Sequence, residues 1–293
     1  MNKIVFIILF VLYFLQSVVF AEQSLEERQR AYTLSLYKSG NYFQCIDEIY
    51  KGEFYWKRSH AESNYFILCN YFSGSQYLTV LHNLNNDYAI SEMLRTQMLL
   101  SQTYLKLSSY NESAEAASLL SYTGSAQDRY KIFARRIEPL LYLENYDAIM
   151  AELETYKKMN DPYNGITALE QALSSHNSIP HRNSTLGMVL STFIPGAGQV
   201  YSGRYLDGIL SLAGVAATTA GGLYLHHRGE KQLAGGMFFL AGLFYVGNIY
   251  GAYNSASEFN AKQNRIYRDD IRTNYLPSYE PTDYLNYGGS VSR

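Results

Sequence analysis

The sequence predicts an all-α protein, in which a stack of helical hairpins precedes a small domain built on two apolar helices. Two observations support this prediction. A short turn-like segment containing a tyrosine recurs four times in the first half of the chain, at intervals of 35, 33 and 36 residues. A Gly/Ala-rich block then holds two runs without a charged residue, 208–225 and 232–253. The first pattern is typical of helix-pair repeats, and the second of helices that cross a bilayer.

The first 21 residues are predicted to be a secretory signal. Lys3 gives a positive start, residues 4–15 are almost entirely apolar, and Val19-Phe20-Ala21 offers small residues at the cleavage positions. Mature protein would then begin near Glu22. The alternative is an uncleaved anchor, although the run falls short of the ~20 apolar residues that a comfortable span needs.

Composition divides the rest of the chain into two units, since about 270 residues exceed the size at which one core usually stays single. A polar, tyrosine-rich stretch gives way to the apolar block near residue 180. We therefore expect a repeat domain over 22–180, a membrane domain over 181–262 and a flexible polar tail over 263–293.

Charge and cysteine content argue against two classes of protein. Residues 22–180 carry 19 acidic and 14 basic side chains, without a basic stripe, so a nucleic-acid partner is not expected. Two cysteines are too few for a disulfide framework. Cys45 and Cys69 are expected to be buried thiols, with a single bridge between neighbouring helices as the alternative.

Helix pairs of this period bury an apolar stripe only against their neighbours, so at least three copies are needed. The pattern resembles the tetratricopeptide repeat, in which a small residue ends the first helix and an aromatic follows the turn. Gly40 and Tyr42 match these places, but Cys45 stands where the family has alanine. The second copy is displaced by one residue, and the repeat-ending proline is mostly absent. The turn tyrosines are Tyr42, Tyr77, Tyr110 and Tyr146.

A stack of this kind forms a concave groove lined by the first helix of each pair. The 29 tyrosines of the chain suggest a groove that binds an extended peptide through aromatic contacts and hydroxyl hydrogen bonds. The alternative is that most of them are packing or ordinary surface residues. The groove-facing candidates are Tyr32, Tyr71, Tyr104 and Tyr142.

The apolar block predicts a half-helix and a hairpin of two membrane spans. The half-helix covers 186–195 and should end at Pro195. The spans are expected at about 208–225 and 232–253, joined by the short polar loop 226–231 on the cytoplasmic side. Small residues are expected to pack the two spans together, with self-association as the alternative. Asn248 is expected to pair within the protein.

One constellation in this block resembles an uncharacterised class of small bacterial membrane domains with the signature P-G-x-G-Q-x-Y-x-G-R, often found behind helical repeats. The resemblance covers about 186–262 and implies membrane residence and assembly with partners. It carries over no catalytic residue and no metal ligand. The positions are Pro195, Gly196, Gly198, Gln199, Tyr201, Gly203, Arg204, Asp207, Gly208, Asn248, Tyr250 and Gly251.

Motifs with known catalytic mechanics, such as GxxxxGK[ST], HExxH, CxxC and GxSxG, do not occur in the sequence. We therefore predict a non-enzymatic scaffold without a cofactor, which binds a protein or peptide partner at the bacterial envelope. Helical spans favour the inner membrane, with the repeats on the exported side. One alternative is an oligomeric transport or lipid-handling unit, with Gln199, Arg204 and Asn248 lining a polar path. Another is a metalloenzyme that uses His226 and His227.

Overall fold

The computed structural model describes residues 25–86, 94–159 and 165–285, and these residues are helical with no strand among them. The all-α prediction is therefore confirmed. The chain divides into two compact units. The first holds the described residues up to 159 together with 276–285, and the second holds 165–275. The predicted secretory signal over 1–21 lies outside the described residues.

Eight helices form the larger part of the first unit. Most of these helices pack against their neighbours in sequence. The helices are α1 (25–38), α2 (Tyr42–Trp56), α3 (His60–Ser73), α4 (Tyr77–Asn86), α5 (Leu94–Lys106), α6 (Tyr110–Ser118), α7 (Ala126–Tyr142) and α8 (Tyr146–Lys157).

The four predicted turns share one backbone geometry. Each turn tyrosine is the first residue of an even-numbered helix, and the residue two places before it has a positive φ. The residue between them donates its N–H to the carbonyl five positions back, at 2.8 to 3.1 Å, which is the Schellman closure of a helix end. The positive-φ residues are Gly40 (78°), Ser75 (60°), Ser108 (61°) and Glu144 (53°).

Both cysteines lie in the core of the first unit as free thiols. The Cys45 Sγ donates to the Thr33 carbonyl at 3.3 Å. Burial raises the pKa of the Cys45 thiol to about 11 and also raises that of Cys69. The bridged alternative is absent from this structure.

A thiol reagent at pH 8 is expected to leave both cysteines of the folded protein unmodified, because the thiolate is the reactive form and neither thiol is exposed. Denaturant should release two reactive thiols per chain. The check is a colorimetric thiol titration with and without denaturant. Rapid reaction of native protein would contradict the burial of these thiols.

Five helices form the second unit. The long α13 packs against each of the other four helices, so it is the central helix of this unit. Its 45 residues extend over about 67 Å at 1.5 Å per residue. The helices are α9 (Ile166–Ser174), α10 (Ser184–Phe193), α11 (Ala197–Tyr201), α12 (Tyr205–His227) and α13 (Lys231–Tyr275).

The observed boundaries differ from two sequence expectations. The chain divides between residues 164 and 165 instead of at 180, because α9 packs against α13. The Tyr267 hydroxyl on α13 donates to the Ala172 carbonyl on α9 at 2.8 Å. Helix α13 continues to Tyr275, where a flexible tail was expected from residue 263. Within this polar half, Ile271 is buried.

Helices α12 and α13 are long and apolar enough to cross a bilayer. Only 11% of the residues in each apolar window are buried, so these side chains do not form a core within the chain. An apolar surface of this extent is typical of a membrane or protein contact, and the result supports membrane association. Exposed examples are Leu206, Ile209, Leu210, Leu243, Val246, Phe239 and Phe244.

Candidate functional site

The segment 276–285, which follows α13 in sequence, is bound along the first unit. It contacts α3 and α5, and it contains a short 3-10 turn at Pro281–Tyr284. Side chains from α3, α5 and α7 hold it. These are the first helices of three successive hairpins, the elements that the sequence analysis expects to line a groove. We call this segment the tail peptide and the surface beneath it the groove.

The groove binds the tail peptide largely through its main chain. The buried Tyr65 hydroxyl donates to the Pro281 carbonyl at 2.8 Å. A guanidinium nitrogen of Arg95 lies 3.4 Å from the Tyr284 carbonyl oxygen, and Arg135 donates to the Pro277 carbonyl. Because carbonyls are common to all peptides, these contacts fix position without requiring a particular sequence.

Tyr279 is the aromatic anchor of the tail peptide. Its ring meets Phe72 edge to face at 5.7 Å, and the guanidinium of Arg135 lies over it at 5.7 Å. Tyr279 and Tyr284 pack against two apolar clusters of the unit. Because its ring is held between apolar side chains and a cation, Tyr279 contributes more to the binding free energy of the tail peptide than the neighbouring residues of that peptide do.

Opposite charges set the electrostatics of the groove. Arg135 and Glu138 form a buried pair at 2.8 Å, with side chains 4% and 6% exposed, and Gln102 donates to the same carboxylate at 3.0 Å. On the tail peptide, the Asp283 carboxylate lies 3.1 Å from Lys131. The groove therefore offers a partly exposed cation to an acidic residue of its ligand.

Alkaline pH is expected to weaken the binding of the tail peptide. Burial raises the pKa of Tyr284 to about 12 and that of Tyr279 well above its ordinary value. The two protonated tyrosines stabilise the bound tail peptide, and this contribution is complete below about pH 10. Because both pKa values are raised in the folded protein, the contribution is lost as the pH rises through those folded-state pKa values. Unfolding followed by Trp56 fluorescence at pH 8 and pH 11 checks this. A Tyr279→Phe/Tyr284→Phe variant should lose less stability between these pH values.

The four tyrosines predicted from the sequence lie on first helices, but the contacts that hold the tail peptide involve other residues. Tyr32 is 53% exposed. Tyr71 lines a small cavity of about 90 Å³ with Tyr50, and Tyr142 stacks on Tyr110 with ring centroids 4.7 Å apart. Tyr104 is half-buried on α5. The useful sequence signal was the pair of opposite charges three residues apart in the apolar context of α7.

The signature residues of the second unit build a buried hydrogen-bond network. The Asn248 side chain accepts from the Gly196 N–H at 2.7 Å and donates to the Ser191 carbonyl at 3.0 Å. The main-chain carbonyl of Asn248 accepts from the Gln199 side chain at 2.9 Å. Ser191 donates to Gln199 at 3.0 Å and accepts from the Gly198 N–H at 2.9 Å. Asn248 pairs within the protein, as expected, and the network ties α10 and α11 to α13.

Three glycines of the signature permit close backbone approach. A Cβ on Gly196, whose φ is +89°, would lie 2.0 Å from the Gly208 carbonyl oxygen. A Cβ on Gly198 would lie 2.1 Å from the Gly187 carbonyl oxygen, and one on Gly208 would lie 2.6 Å from Val200. These contacts explain the glycines of the signature by packing and not by ligand chemistry.

The other signature side chains lie at the rim of this network. Arg204 pairs with Asp207 and with Glu258, the latter at 2.7 Å. The Tyr201 hydroxyl accepts from the Asn183 N–H at 3.2 Å. Gly203 has a φ of +82°, Tyr250 is 67% exposed, and a Cβ on Gly251 would lie 3.3 Å from Gln199. Pro195 follows the end of α10 by two positions.

A cavity of about 410 Å³ opens beside the network. Both polar and apolar side chains line this cavity. Gln199, Arg204 and Asn248, the three residues predicted to line a polar path, all lie on this wall. The remaining lining residues include Asp207, Ser211, Ser255, Leu210, Leu243 and Phe244.

His226 and His227 end α12 as exposed neighbours, with ring centroids 6.4 Å apart. Within residues 25–86, 94–159 and 165–285, no three His, Cys, Asp or Glu side chains group closely enough to hold a metal ion. The metalloenzyme alternative gains no support from this arrangement.

Comparison of the chain with protein-family models, with curated proteins and with solved structures gave no match. The tetratricopeptide resemblance and the membrane-domain signature therefore remain predictions. Contacts within the chain are the basis for inferring its function.

Proposed function

We propose that the protein is a membrane-anchored scaffold of the bacterial envelope, whose tetratricopeptide-like groove binds an extended segment of a partner protein. The observation that supports this proposal is the tail peptide, a segment whose carbonyls are held by side chains of three successive first helices. The groove supplies hydrogen-bond donors to carbonyls, a site for an aromatic ring and a cation for an acidic side chain. No chemical step is part of this function.

The physical basis of the proposed binding is a rigid surface with donors already in place. Arg135 is fixed by Glu138, and Arg95 by Glu62 at 2.7 Å. Arg95 also lies 4.4 Å from the centroid of the Tyr65 ring. Because these side chains are ordered by the protein itself, little conformational entropy is lost when a ligand arrives.

Photocrosslinking in intact cells tests the proposal. A photoreactive amino acid at Lys131, on the groove, is expected to crosslink one partner through an extended segment that peptide mapping identifies. The matched control is the same amino acid at Tyr32, which is exposed on α1 and is not among the residues that hold the tail peptide. Equal crosslinking from both positions, or none from Lys131, would count against the groove as the partner site.

The proposed anchor is the hairpin of α12 and α13, with the inner membrane as its location and the repeats on the exported side. Two helices with exposed apolar surfaces of spanning length support it. Full-length protein is expected in the membrane pellet of broken cells and to resist alkaline carbonate extraction. Recovery in the supernatant without detergent would remove the anchor from the proposal.

A second candidate function is an oligomeric transport or lipid-handling unit. The specific observation in its favour is the cavity of about 410 Å³ that brings Gln199, Arg204 and Asn248 together. Two spans per chain need several copies to enclose a path. Light scattering of detergent-solubilised protein distinguishes the candidates, because a monomer excludes an enclosed path and leaves the scaffold intact.

A further inference from the structure

We propose that the tail peptide is a built-in occupant of the groove, and that a partner segment of the same chemistry binds by displacing it. This inference rests on the proposed function, since it concerns the regulation of the same site and the class of ligand. The structure shows the occupied state. The surface of the groove, the chemistry of its ligand and the covalent tether all favour exchange.

An empty groove would expose both polar and apolar groups. Tyr65 and Arg135 are 0% and 3% exposed, and both donate to carbonyls of the tail peptide. In the empty groove, water can replace those carbonyls as the acceptor. The same opening exposes to water the ring of Phe72 and the apolar clusters on which Tyr279 packs, which is unfavourable. A second peptide restores the acceptors through its carbonyls and the apolar contact through an aromatic side chain, so replacement is favoured over opening.

The groove recognises a limited set of features in its ligand. Carbonyl contacts accept any sequence, whereas the Tyr279 site needs an aromatic ring and Lys131 favours a carboxylate. Pro281 lies between them and restricts the backbone in the bound form. The spacing of Tyr279, Pro281 and Asp283 defines the ligand class as a short segment with an aromatic residue, a proline two residues later that begins a 3-10 turn, and an acidic residue two positions after that proline.

The covalent tether sets how strongly the tail peptide competes. A segment on the same chain competes intramolecularly, so it excludes weak ligands and yields to stronger or more abundant ones. Weakening the tail peptide while leaving the groove unchanged should therefore make the groove more accessible to a peptide added in solution.

The test measures binding of a fluorescent synthetic peptide, residues 276–285 of this chain, to full-length protein in detergent. Tyr279→Ala is expected to lower the apparent Kd by at least about 10-fold, because truncating an aromatic anchor weakens the tethered competitor. Asp283→Lys should act in the same direction by about 2- to 3-fold, since its ion pair is partly exposed. Tyr32→Ala, on an exposed ring, is the matched control and should match wild type.

The outcomes separate the two proposals. If wild type and Tyr279→Ala bind the peptide equally well, the groove is a peptide site and displacement is wrong. If no folded variant binds it, the groove as a peptide site fails, and displacement fails with it. Folding is verified by Trp56 fluorescence, and Asp283→Lys carries the test if Tyr279→Ala does not fold. In the Tyr279→Ala background, Lys131→Glu leaves the buried Arg135–Glu138 pair intact and sets a carboxylate opposite Asp283 of the added peptide. It should reduce the gain, which would place the added peptide in the groove.

Discussion

Gly196→Ala is expected to destabilise the second unit by at least about 3 kcal/mol or to prevent its folding. Two costs add at this position. The φ of +89° disfavours any L-residue, and a Cβ would lie 2.0 Å from the Gly208 carbonyl oxygen. That oxygen belongs to a helix backbone, so it cannot move without shifting α12. The Gly196 N–H, which donates to Asn248, would shift with it.

A set of glycine variants distinguishes the cost of the positive φ from the cost of steric overlap by the added Cβ. Gly203→Ala carries the strain alone, because its φ is +82° and nothing lies within 4 Å of the added Cβ, and it should cost about 1–2 kcal/mol. Gly198→Ala carries the collision alone. Gly242→Ala on α13 carries neither and should be neutral or slightly stabilising.

Thermal unfolding of full-length protein in detergent, followed by far-UV circular dichroism, provides the measurement. The fluorescence of Trp56, the single tryptophan of the chain, reports the first unit in the same samples. A Gly196→Ala protein with wild-type unfolding by dichroism would show that the close approach to α12 is not required.

The helical hairpins could be located from the sequence because their turns recur at similar intervals of 35, 33 and 36 residues, but the form of the turn could not. Only the first copy has glycine at the positive-φ position, and the others have Ser75, Ser108 and Glu144. Non-glycine residues adopt this conformation at a cost of about 1–2 kcal/mol, which tertiary packing offsets. The tyrosine that begins the second helix is therefore the signal that survives in all four copies.

The groove residues could not be predicted because the ligand was not recognised as one. Residues 276–285 contain Tyr, Pro, Glu and Asp, a composition that suggests disorder when considered alone. Their order depends on side chains about 140 to 220 positions away, such as Arg135 and Tyr65. Local patterns carry no information on pairings over such distances, so aromatic abundance directed attention to Tyr104 and Tyr142 instead.

The sequence also indicated which residues form the network of the second unit, but not why its glycines are required. The signature is a string of defined length and residue order, and it indicated that these residues belong to one domain. Asn248 was expected to pair within the protein. The closest approaches, at Gly196 and Gly198, are to backbone carbonyls of other segments, Gly208 and Gly187. Such contacts have no side-chain pattern by which they could be found, so only the structure explains why Gly196 and Gly198 are glycines.

Arg135→Met is expected to destabilise the first unit by about 3–5 kcal/mol, which is the usual cost of removing one partner of a buried ion pair. The Glu138 carboxylate is 6% exposed, and the neutral hydrogen bond from Gln102, at 3.0 Å, does not replace the lost positive charge. The Pro277 carbonyl would lose its donor as well. Denaturant unfolding of full-length protein, followed by Trp56 fluorescence, measures the loss.

The double variant Arg135→Met/Glu138→Leu decides whether the charge or the packing matters. Removing both charges takes away the buried carboxylate that the single variant leaves without its guanidinium, and apolar replacements of similar volume are often neutral in such sites. The double variant should therefore recover most of the stability lost by Arg135→Met while still binding the tail peptide less well. Lys157→Met, which breaks a partly exposed pair with Glu154, is the matched control and should change stability by less than about 1 kcal/mol. If the double variant is as unstable as the single one, the contact of Arg135 with the tail peptide outweighs its pairing with Glu138, and the groove depends on its occupant for stability.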